Sequence, residues 1–74
     1  MKKYLIRYTF DEEDGLYVAA CPEFFGFIVC EEDLNKLKKE CLYLLKIYTK
    51  QDDLTGKNIE FEEAVVVQEL SFER

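Results

Sequence analysis

The spacing of apolar side chains changes at residue 31, and that change limits the fold more than any other feature of the chain. Upstream, "KYLIRYTF" (residues 3–10) alternates, with Tyr4, Ile6, Tyr8 and Phe10 on one side and Leu5, Arg7 and Thr9 on the other. A period of two is the mark of a strand. "LYVAAC" (16–21) and "FIVC" (27–30) read as second and third strands. Within residues 31–50 the apolar positions fall instead three and four apart. Leu34, Leu37, Cys41, Leu44, Leu45 and Tyr48 form one stripe of an amphipathic helix. Acids lead this segment and lysines follow, which suits the helix dipole. Residues 59–72 return to β, with Ile59 and Phe61 as an extended lead-in. Residues 64–72 are expected to be the main fourth strand, since the near-continuous "AVVV" suits a strand covered on both faces.

Turn chemistry orders these pieces. Asp14-Gly15, inside "DEEDG" (11–15), is a hairpin signal, because glycine takes positive φ at little cost. Pro22 has no N–H to give a ladder and ends the second strand, and Gly26 turns the chain back. The β-β-β-α-β sequence then predicts an α+β fold. A right-handed crossover through the helix returns the fourth strand beside the first, parallel to it. The expected sheet is four-stranded and mixed, in order 3-2-1-4, with the helix on one face and the other face open.

Seventy-four residues make one domain, 1–74, yet 49% of them are hydrophobic and 15% aromatic. A body this small buries only about 60–65% of its surface. A dense aromatic core or association with another chain would each absorb the surplus. "CPEFFGF" (21–27) poses this choice locally, because strand alternation does not say which way the turn residues Phe24 and Phe25 point. On the helix, Tyr43 and Ile47 lie off the stripe and are candidates for an apolar contact ridge.

Net charge is −6, and residues 51–74 carry seven acids against Lys57 and Arg74, whereas 31–50 is near neutral. Such a surface repels phosphate backbones, so direct nucleic-acid binding is not expected. It attracts a basic protein. Glu60, Glu62 and Glu63 are the acidic candidates for such a contact.

Catalytic chemistry finds little support. There is no histidine, which removes the usual Ser-His-Asp and Cys-His systems. "DEEDG" lacks the ligand spacing of a calcium loop, since its glycine is fifth and the twelfth position is Pro22. Cys21, Cys30 and Cys41 are widely spaced, show no CxxC, and read as small structural hydrophobes. No metal or cofactor is expected, and no enzymatic activity. Arg7 interrupts the first apolar run, so neither a signal peptide nor a membrane span is predicted. Free thiols then fit a cytoplasmic protein.

The segment "YLIRYTFDEEDGLYVAACPEFFGFIVCEEDLNKLKKECLYLL" resembles the N-terminal domain of the HicB-like antitoxin family. The matching residues are Asp14, Gly15, Tyr17, Val18, Ala19, Cys21, Pro22, Glu23 and Gly26 in a "YVAxCPDLPG"-type segment, and the likeness covers residues 4–50. It implies a partial RNase H-like fold without nuclease activity. It also implies a small basic partner, a HicA-like toxin ribonuclease that the domain binds and blocks, and homodimers. Phe25 stands where that family has proline, and "VCEED" replaces its Thr-x-Gly. No C-terminal DNA-binding domain is expected within 1–74, so operator binding is not carried over. The competing expectation is a stand-alone module that associates with itself through its open sheet face and corner aromatics and has no toxin partner.

Overall fold

The computed structural model describes residues 2–64. Strand β1 (Tyr4–Asp11) and strand β2 (Leu16–Ala20) form the expected antiparallel hairpin, with Arg7 opposite Ala20 and Phe10 opposite Tyr17. The loop between them closes through the Gly15 N–H donating to the Asp11 carbonyl at 2.8 Å, with Gly15 at φ +68°. The Asp11 carboxylate accepts from the Glu13 N–H at 3.0 Å, so this aspartate shapes the turn with its own side chain.

After β2 the chain turns through residues 21–27 and enters β3 (Ile28–Glu31), antiparallel to β2. Gly26 sits at φ +83°, a conformation that glycine adopts without a Cβ penalty. Helix α1 (Leu34–Thr49) follows. It starts three residues later than the periodicity predicts, because Glu31 still belongs to β3 and Asp33 is the cap. The Asp33 carboxylate accepts from the Lys36 N–H at 3.2 Å. The leading acids therefore lie before the helix, not within its first turn.

A 3-10 turn (Gly56–Asn58), capped reciprocally by Thr55 and Asn58, delivers the chain to β4 (Ile59–Glu63). The Asn58 side-chain amide donates to the Lys2 carbonyl at 3.3 Å, which fixes the start of β4 beside the start of β1. β4 runs parallel to β1, with Tyr4 opposite Ile59 and Ile6 opposite Phe61, and the sheet order is β3-β2-β1-β4. The expected lead-in is thus itself the paired strand. Ile-Glu-Phe-Glu alternates as a strand with one covered face does. The Ala64 N–H continues the ladder to the Tyr8 carbonyl at 2.7 Å. The remainder of the expected strand over 64–72 lies outside the described residues.

The core lies between α1 and one face of the sheet. Tyr4, Ile6, Ala19, Val29 and Ile59 meet Leu37, Cys41 and Leu45, with Cys21, Phe27 and Leu54 closing the margins. The opposite face carries Leu5, Arg7, Thr9, Val18, Ala20, Ile28 and Cys30 by alternation. Among the described residues no helix is long and apolar enough to cross a membrane.

Candidate interaction surfaces

Among the described residues β3 and β4 are the outer strands of the sheet, and they expose contrasting chemistry. β4 presents Glu60, Glu62 and Glu63, all exposed and without a basic residue on the strand. Register places Glu62 opposite Arg7, and the Arg7 Nε–H donates to the Glu62 carboxylate at 2.9 Å. Both partners are exposed, so the pair adds well under about 1 kcal/mol to stability. Its effect is to hold one carboxylate and leave the other two free: among the described residues Glu60 and Glu63 have no ion-pair partner. On the inner side of β4, Phe61 packs beside Tyr8 and lies under the Lys38 ammonium, 5.3 Å from its ring.

The β3 edge is apolar. Ile28 is 62% exposed and Cys30 is exposed, both on the face away from Val29. Helix α1 lies over the Val29 face, and reaches the β3 edge from there. Its Tyr43 flank, with Lys39 and Glu40, forms with Ile28 and Cys30 an open groove of about 530 Å³. Tyr43 is 69% and Ile47, one turn on, 53% exposed. From Ile28 to Thr49 the chain carries four acids and four lysines, so this region is neutral in a molecule of net charge −6.

The corner divides its two phenylalanines. Phe24 is half-buried, its ring 5.9 Å from that of Tyr4 and 5.6 Å from that of Tyr48, and it belongs to the core margin. Phe25 is fully exposed at 102%. Of the seven sequence-predicted contact residues, then, the structure sets Tyr43 beside β3, Ile47 one helical turn further on and exposed, and Glu60, Glu62 and Glu63 on β4. It leaves Phe25 at the corner and turns Phe24 inward. Sequence reasoning missed Ile28 and Cys30. The signal was present: Phe27 and Val29 alternate with them, and order 3-2-1-4 makes β3 an edge.

The thiols follow their burial. Cys21 and Cys41 are buried, and desolvation pushes both up, Cys41 to about 12. Both stay protonated and weakly nucleophilic near neutral pH. Cys30 departs from the expectation of three buried structural cysteines, because the end of an edge strand leaves it open to solvent. Beside it, the Glu40 carboxyl is raised above its ordinary value, chiefly by a hydrogen bond with Glu31. No three His, Cys, Asp or Glu side chains among the described residues stand close enough to hold a metal ion. Compared with known proteins, the chain matches no family model, no curated protein and no solved structure.

Proposed function

We propose that this chain is a non-catalytic protein-binding module of the HicB-like antitoxin kind, and that its β4 edge takes a small basic protein, a toxin ribonuclease similar to HicA. The observation that carries the reading is the row of carboxylates on an outer strand, with Glu60 and Glu63 free of ion pairs among the described residues. An outer strand offers main-chain donors and acceptors to an incoming strand, and its side chains then select the partner. Here the selection is for positive charge. A ribonuclease surface that holds RNA phosphates is basic, and a carboxylate row offers it the same sign of charge as its substrate. Occupying that surface blocks the substrate without any chemistry on the part of this chain. The RNase H-like topology and the cytoplasmic location belong to the same proposal.

The test is co-expression with the product of a small basic neighbouring reading frame. Co-purification and relief of growth arrest are expected, with affinity falling as salt rises. A product that neither co-purifies nor loses its toxicity ends the antitoxin reading.

A further inference from the structure

We propose that the aromatic rings of Phe10, Tyr17, Tyr8 and Phe61 form a shelf that seats arginine side chains of a basic protein segment, at a site separate from the pairing edge of β4. The cover that α1 gives the sheet runs out along β1. Tyr4 and Ile6 are buried, Tyr8 is half-buried, and Phe10 is 41% exposed. The rings at this end touch in series. Phe10 meets Tyr17 edge-on with 4.9 Å between centroids, Tyr17 meets Tyr8 at 6.4 Å, and Tyr8 meets Phe61 at 6.4 Å. Register puts all of them on the helix side of the sheet, since Phe10 lies opposite Tyr17 and the buried Ile6 opposite Phe61.

Two observations select a cation as the occupant. First, the series already holds one of the chain's own. The Lys38 ammonium stands 5.3 Å from the centre of the Phe61 ring, where the negative face of the ring attracts it. Lys38 takes the Phe61 end, and the Phe10 end faces solvent. Second, carboxylates flank the rings. Tyr17 lies opposite Glu31 on β3 and Tyr8 opposite Glu63 on β4, so both acids share the face of the rings. Glu63 has no ion-pair partner among the described residues. Just past Phe10 the hairpin adds Asp11, Glu12, Glu13 and Asp14 and no basic residue. A purely apolar occupant would strip water from these carboxylates and return nothing. A cation stacks on the rings and pairs with the rim.

Arginine suits this setting better than lysine. Its guanidinium is planar and weakly hydrated, so it lies on an aromatic face while its fork of N–H donors reaches a carboxylate. The occupant is therefore an arginine-bearing basic segment, and the site does not depend on which partner the β4 edge selects.

NMR titration of the full chain tests this, with a short peptide of alternating arginine and glycine and a lysine counterpart of equal length and charge. The ring protons of Phe10 and Tyr17 should shift. The arginine peptide should bind about threefold tighter or more, a margin that charge alone does not supply. Phe10→Leu keeps an apolar side chain at this partly exposed position and removes the ring. It should retain the circular dichroism and lose the preference for arginine. Glu63→Gln should weaken the arginine peptide more than Glu60→Gln, which removes the same charge from the other face of β4. Equal binding of the two peptides overturns the proposal. So does an arginine preference that Phe10→Leu leaves intact, or an equal loss from the two glutamate variants. Co-expression with the basic ribonuclease reads the β4 edge separately, so either proposal can fail alone.

Discussion

β3 and β4 flank the same sheet, yet they solve the edge problem in opposite ways. β4 places three carboxylates in five residues, so two such edges repel. β3 has two exposed positions filled by Ile28 and Cys30 and no charge until Glu31. Ion pairs do not decide the matter, since the pair that β4 makes among the described residues, Glu62 with Arg7, is exposed and weak. What differs is the chemistry each strand offers: a carboxylate row attracts positive charge and repels its own kind, and the exposed Ile28 and Cys30 of β3 carry no charge to select by.

The largest effect expected is in thiol labelling, which separates the β3 edge from the core behind it. Cys30 is exposed, whereas Cys41 is buried with its thiol pushed up to about 12, and Cys21 is buried with its thiol also raised. Labelling of the buried pair must wait for the fold to open, which in a domain stable by about 5 kcal/mol slows it at least a thousandfold. One thiol should react at once and two only after denaturant is added. Fast reaction of Cys41 in the folded chain would break the distinction between edge and core.

Charge reversal sharpens the contrast itself. Glu60→Lys with Glu63→Lys keeps the Arg7–Glu62 pair and turns the β4 edge from acidic to mixed. Affinity for the proposed basic partner should fall about 100-fold, equivalent to about 2.7 kcal/mol. Ile28→Lys, on the other outer strand, should leave that affinity unchanged. Calorimetric titration of both variants with the basic protein gives the full comparison. If Ile28→Lys weakens binding as much as the β4 pair does, β4 is not the strand that selects the partner.

The corner that leads into β3 gives the next effect. Phe24→Ser removes a half-buried ring from between Tyr4 and Tyr48 and should cost about 2 kcal/mol, somewhat less than truncation of a fully buried phenylalanine. Phe25→Ser, at a fully exposed site, should stay within about 0.5 kcal/mol. Denaturant melts of the two variants measure the difference. Equal losses would mean that Phe25 also packs against the fold.

Strand order, hairpin and helix were legible because each rested on a local rule: alternation in Tyr4–Phe10, Asp14-Gly15 at the turn, and three-and-four spacing from Leu34 to Tyr48. Where two rules competed, the reading slipped. The alternation of Ile59 and Phe61 was read only as a lead-in, although it sets these residues opposite Tyr4 and Ile6 across the sheet, and the β-branched run after Ala64 lies outside the described residues. The direction of Phe24 and Phe25 followed no periodicity, because residues in a turn are oriented by what the folded chain places beside them. Tyr48, on the helix, was what drew Phe24 inward. Ile28 was legible and overlooked, since its alternation was clear and only its place at the edge gave it meaning.

The smallest effect concerns Glu40, at the rim of the β3 groove. Its hydrogen bond with Glu31 raises its pKa above the ordinary glutamate value of 4.5, while Lys36 pulls weakly the other way. A carboxyl raised in the folded state binds its proton more tightly there than in the unfolded chain. Its stabilising effect is therefore present in acid, below the unfolded pKa, and lost as pH rises through the folded one. At neutral pH the pair is simply two like charges. Glu40→Gln keeps a donor for Glu31 and removes the repulsion. Its melting temperature should exceed that of the wild type at neutral pH, and the gain should shrink as pH falls towards 4.5. If the melting temperature of Glu40→Gln does not exceed that of the wild type at neutral pH, Glu31 and Glu40 do not repel each other in the folded chain.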